Sequence, residues 1–235
     1  MQSTHSEKRR EPVRTTLTTE IFVSAMVAAW SSAWGRISAP FVAMVWAKYI
    51  AETSNKHCYN WNIGNVKDVP GDGFDYHCLR GVLEGVTKER ADALVASGQV
   101  SLSQNEQQKL DVYPLVAVIY EPPHPATRFR SYDSLAQAMP AHLEFLRRKY
   151  PAAFEIAHKG DVAAFVRALS GYMTANATRY TQAMTPAFAA AMKVVPSLLE
   201  KALVAPDVYY EEPMPIVHGT HVVEATLAAR EAEER

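Results

Sequence analysis

At 235 residues the chain is long enough to bury one substantial core, and 48% hydrophobic with 21% charged residues excludes a wholly disordered protein. Two cysteines exclude a disulfide scaffold. The formal net charge is −1, but residues 207–235 hold Asp207, Glu211, Glu212, Glu224, Glu231, Glu233 and Glu234 against Arg230 and Arg235, leaving the remainder at about +4. That distribution suits an anionic polymer as partner, and no nucleic acid is expected.

Residues 1–17 are polar and basic, and disorder is expected there. Thr18 or Thr19 can cap a first helix that runs to about Trp34 and stops at Gly35. Its apolar stretch IFVSAMVAAWSSAW (21–34) is interrupted by serines and is shorter than the roughly 20 residues needed to span a membrane. KRREPVR before it and small residues within it are signal-peptide features. Glu20 abuts the run, however, and Phe22, Met26, Ala29 and Ala33 recur at helical spacing, so a core helix is expected.

RISAPFVAMVWAKYIAET begins a second helix with Pro40 in its first turn, where a missing N–H costs nothing. Phe41, Val45, Tyr49 and Glu52 share one face, so Glu52 ends an apolar stripe in the last turn. The helix dipole disfavours a carboxylate there. The loop that follows carries Tyr59, Asn60, Trp61, Asn62 and Asn65.

From Tyr59 to about Tyr132 a small β lobe is expected. GDGFDYHCLRGVLEGV (71–86) reads as a turn followed by one strand, and YPLVAVIYEPPHP (113–125) as a second strand stopped by prolines. Residues 87–112 form a helical insertion between them. Helices return in SLAQAMPAHLEFLRRKY, DVAAFVRALSGYM and ATRYTQAMTPAFAAAMKVVPSLLEKAL. The organisation is a disordered segment 1–17, an α+β domain 18–195, and a tail or packing arm 196–235.

Cleavage of a glycosidic bond needs a carboxylic acid that keeps its proton near neutral pH and donates it to the leaving oxygen. An apolar stripe and a helix C-terminus both disfavour the carboxylate, which should raise the pKa of Glu52, while Lys48 one turn back opposes this. Trp61, Tyr76, Phe129 and Tyr132 are candidates for sugar stacking or for the core, and Asn62 is a candidate polar contact. His57–Cys58 and His77–Cys78 suggest zinc, but adjacent strand residues point to opposite faces, so no metal is expected. The two cysteines are either bridged, in an oxidising space, or free. Neither is marked as a nucleophile for a Cys/His amidase or peptidase. HGTH (218–221) reads as a tail fragment, and Arg128, Arg130, Arg147, Arg148 and Lys149 as a solvated face that can help hold an acidic glycan.

The order of pieces is Glu52 closing a helix, NIGNVK (62–67), FRSYDS (129–134) opening a helix, and GYMTANATRY (171–180). Over about residues 20–195 this order resembles the glucosaminidase-type peptidoglycan hydrolases of the lysozyme superfamily, which include flagellar-rod muramidases, autolysins and phage endolysins. Two departures are visible. ETSNK lacks both glycines of the family's E-S-G-x-G, and Gly64 and Asn65 stand where Phe and Gly are common. The resemblance implies a lysozyme-like α+β fold with a mostly helical lobe and a small β-hairpin lobe. It also implies hydrolysis of β-1,4 bonds between N-acetylglucosamine and N-acetylmuramic acid in peptidoglycan strands, without a cofactor. Glu52 would be the general acid, and Tyr172 the cleft tyrosine. Glu84 would be the assisting carboxylate on the first hairpin strand, with Glu121, Asp72 and Asp75 as rivals. A lytic transglycosylase and a non-catalytic wall-binding or virion structural protein on the same fold are the alternatives. Without a convincing signal peptide, the expected setting is a phage lysis protein or another exported lytic factor.

Overall fold

The computed structural model describes residues 7–53, 57–169 and 177–204. The fold is α+β, with short antiparallel sheets beside many helices. It divides into two compact units, one built of Val13–Asn65 and residues 132–204, the other of residues 7–12 and Val66–Ser131.

The first unit is helical. Its centre is α2 (Ala39–Thr53), with α1 (Thr19–Ala29), α6 (Pro151–Ala157), α8 (Ala177–Ala191) and α9 (Val195–Val204) packed against it. Every residue of α2 from Phe41 to Tyr49 is buried, so this helix is enclosed all round and is not merely striped. Ser38 caps it, accepting from the Phe41 N–H at 3.3 Å, and its hydroxyl meets His158 Nδ1 at 2.8 Å. Thr18 caps α1, its side chain accepting from the Ile21 N–H. α1 ends at Ala29, short of the expected Trp34, and a separate 3-10 turn (Ser32–Trp34) leads to Gly35 at φ 79°. Ala33 is therefore exposed and leaves the helical stripe. The unit is completed by α5 (Leu135–Lys149), which Ser134 caps, and by α7 (Val162–Ala168).

The second unit is mostly β. β3 (Asp75–Cys78) pairs with β7 (Arg128–Ser131), and a separate three-stranded sheet has the order β4 (Val82–Val86), β6 (Val116–Tyr120), β5 (Val100–Leu102). The single strand expected over 71–86 is broken at Leu79–Gly81, because Gly81 turns the chain with φ 62° and sends its halves into different sheets. The insertion between β4 and β6 holds α3 (Lys88–Ala96), β5 and α4 (Glu106–Val112). Its small core is Ala91, Leu94, Val118 and Tyr120, with Val82, Val86, Val100 and Val116 around them.

The two ends of the chain differ in how they meet expectation. In the N-terminal segment, expected to be disordered, Arg14–Thr16 forms β1, paired with β2 (His57–Tyr59). In the same segment Arg9 bridges to Tyr76. Strand pairing supplies there the order that local composition does not. At the other end, α9 runs past residue 196 with Leu199 and Ala202 buried, so residues 196–204 pack as an arm against the helical unit. Among the described residues no helix is long and apolar enough to cross a membrane.

Candidate active site at the end of helix α2

Glu52 lies in the last turn of α2, and the loop that follows is fixed to it. The Asn65 side-chain amide donates to the Glu52 carbonyl at 2.9 Å. Asn60, Trp61 and Asn65 have φ of 48°, 58° and 46°, a left-handed conformation that costs a non-glycine residue about 1 kcal/mol or more each. Surrounding bonds hold it. Asn60 accepts from the Val13 N–H on its side chain at 2.6 Å, donates its own N–H to the Val13 carbonyl, and accepts from the Tyr132 N–H at 3.0 Å. Gly64 is required because a Cβ there would run into the buried imidazole of His142 on α5. The loop is thus seated against Val13, just before β1, and against α5.

The Glu52 side chain is 12% exposed, and its Oε1 lies 3.9 Å from Lys48 Nζ. Lys48 itself is fully buried. Burial pushes the Lys48 ammonium below the usual lysine range, and the Glu52 carboxylate pulls it back up. The carboxyl thus sits at the rim of the core with a buried amine one turn behind it. The sequence offered a signal for this pair: Lys48 and Glu52 are the two charges in an otherwise uncharged helix.

The other candidate carboxylates lie in the β unit and are all engaged. Glu84 stands on β4 opposite Val118, and its Oε1 is 3.0 Å from Lys67 Nζ, with both side chains more than a third exposed. Burial lowers the Lys67 pKa and Glu84 raises it again. Asp72 pairs with Arg130 and accepts from the Phe74 N–H. Asp75 is buried against the Arg10 guanidinium and accepts from the Lys8 N–H. Glu121 accepts from the Gly81 N–H at 3.1 Å.

The aromatic candidates are mostly interior. Trp61, Phe129 and Tyr132 are 4–6% exposed and Asn62 is buried, so these side chains fill the core of their units and offer no open face to a sugar. Lys67 Nζ lies 4.1 Å from the Phe129 ring centroid. Tyr76 is half-buried, with the Arg128 guanidinium 3.6 Å above its ring. Arg128 also pairs with Asp68, Arg130 with Asp72 and Arg147 with Glu144. Arg128 and Arg130 are bound up within their unit, whereas Arg147, Arg148 and Lys149 are exposed in the last turn of α5, as expected of a solvated face. Tyr172 and HGTH lie outside the described residues.

Among the described residues no cluster of His, Cys, Asp and Glu could hold a metal ion. Cys58 and Cys78 are free thiols. Cys58 is buried, its Sγ 2.8 Å from the Thr15 hydroxyl, and burial pushes its pKa up to about 12, the opposite of a reactive thiolate. Iodoacetamide on the native protein should therefore label the half-buried Cys78 first and reach Cys58 only on unfolding, and reductant should leave the melting temperature unchanged. Rapid native labelling of Cys58 would contradict this packing.

No family model, curated protein or solved structure matches the chain.

Proposed function

We propose that the chain is a peptidoglycan hydrolase that cleaves β-1,4 bonds between N-acetylglucosamine and N-acetylmuramic acid, with Glu52 as general acid. The observation that carries this reading is the placement of Glu52. It is the one carboxylate of the central helix, whose middle is fully buried, and it lies in the last turn at the rim of the core with its backbone tied to the following loop by Asn65. An acid so placed can donate its proton to the leaving glycosidic oxygen as the sugar develops oxocarbenium character. In a transglycosylase the same acid acts, but a hydroxyl of the sugar attacks instead.

A second reading, a non-catalytic wall-binding or virion structural protein, draws support from the burial of Trp61, Phe129 and Tyr132, which leaves fewer stacking surfaces for sugar. Zymography on purified peptidoglycan separates the two. A cleared band is expected, and binding without clearing would favour the second reading. An anhydro sugar among the products would identify a transglycosylase.

A further inference from the structure

We propose that the outer edge of β3, with the Gly71–Gly73 turn ahead of it, is a docking groove for an extended peptide carrying a glutamate and, three residues on, an arginine. Residues 7–10 fill this groove when no partner is bound. Every group involved lies in the β unit, so the groove stands or falls apart from the reading of Glu52.

Glu7 is held as a bound ligand is held. Its Oε1 accepts from the Gly71 N–H at 2.6 Å and the Gly73 N–H at 3.1 Å, and its Oε2 lies 3.5 Å from Arg128 Nη2. Backbone donors that converge beside a guanidinium suit the capture of a carboxylate. Gly71 and Gly73 have φ of 91° and 83°, and a Cβ on either would meet nothing within 4 Å among the described residues. Backbone conformation, and not packing, therefore demands glycine there. The receptor is assembled without Glu7. Asp72 closes the turn, accepting from the Val69 and Phe74 N–H groups and pairing with Arg130. Asp68 holds Arg128 at 2.6 Å, and the guanidinium rests over the Tyr76 ring. A site fixed in advance in this way binds at lower cost.

One edge of β3 pairs with β7, and the other takes the N-terminal segment as a parallel strand. Tyr76 donates its N–H to the Lys8 carbonyl at 3.0 Å and accepts from the Arg10 N–H at 2.7 Å. Asp75 accepts from the Lys8 N–H and from Arg10 Nε. Edge pairing of this kind recognises an extended backbone, while the glutamate and arginine set its register. No apolar side chain anchors the segment. Glu7, Lys8, Arg9, Arg10 and Glu11 are all charged, and Lys8 and Arg9 are exposed. Held by edge pairing and partly exposed ion pairs, without apolar burial, the segment is exchangeable for a competitor with the same charges.

The test uses the full chain and a fluorophore-labelled peptide, acetyl-EKRREP, the sequence of residues 7–12, read by fluorescence polarisation. The double variant Glu7→Ala, Arg10→Ala weakens the built-in occupant and should bind the peptide saturably. Wild type should bind it roughly tenfold or more weakly, because its own segment competes at high effective concentration. Acetyl-QKRREP, which lacks only the first carboxylate, should bind the double variant at least about tenfold more weakly than the parent peptide. If the double variant does not fold, Glu7→Gln is read in the same way. No saturable binding to a folded variant would overturn the groove. Equal binding of the two peptides would overturn the carboxylate site, and equal binding by wild type and variant would overturn its occupation by residues 7–10.

Discussion

Replacing Glu52 by Gln should lower sugar release from peptidoglycan by about 10²- to 10⁴-fold, the usual contribution of a positioned general acid. Gln keeps the size and hydrogen-bonding capacity of the side chain but cannot donate the proton, so glycan binding should persist. Sequence alone suggests that stability would stay level or rise, since a carboxylate unfavourable to the helix dipole is removed. The structure reverses that expectation. Lys48 is fully buried 3.9 Å from Glu52, so the variant removes a nearby counter-charge from a buried ammonium. The variant should therefore bind glycan, release little sugar, and melt earlier than wild type.

The second large effect is acid lability of the β unit, set by His77. Its ring lies on β3, buried, with Nδ1 2.9 Å from the Ser131 hydroxyl, and burial pushes its pKa down to about 3. In the unfolded chain it would titrate near 6.5. At pH 7 both states hold it neutral. Between about 6.5 and 3 the unfolded state binds a proton that the folded state refuses, so stability falls as pH falls, by on the order of 4 kcal/mol at the lower end. Asp68 in the same unit works in the opposite sense. Burial raises its folded pKa, so acidification through that range favours the folded state. The informative comparison is thus between wild type and His77→Gln. The loss of melting temperature from pH 7 to pH 4 should shrink in the variant. Parallel pH profiles would show that His77 is not the group being titrated.

Much of the helical unit was legible in the chain because its signals are local. Thr18 before IFVSAM and Pro40 in the first turn of α2 mark helix starts by chemistry that acts within one turn. Glu52 in the last turn follows from the same reading. The burial of Lys48 did not follow. The pattern Phe41, Val45, Tyr49 describes one apolar face, while burial of the opposite face depends on α1, α6, α8 and α9 closing around the helix. The aromatic candidates were ambiguous for the same reason. Whether Trp61 or Tyr132 faces solvent depends on the path of the 60–65 loop, and that path rests on left-handed residues held by Val13, Tyr132 and Asn65 contacts distant in sequence. β1 shows the limit most plainly. Arg14–Thr16 has no strand signal of its own and is ordered by pairing with His57–Tyr59, more than forty residues away. Glu84 was legible as a strand carboxylate, but its pairing with Lys67 was not, because that contact joins a loop to a strand.

The central claim, that Glu52 is the acid of a glycan-cleaving enzyme, is tested most directly by mass spectrometry of purified peptidoglycan digested in parallel by wild type and Glu52→Gln. The expected result is a set of muropeptides with free reducing ends from the wild type and almost none from the folded variant. Equal product from both would contradict the role of Glu52, and intact glycan strands after treatment with wild type would contradict the enzyme itself.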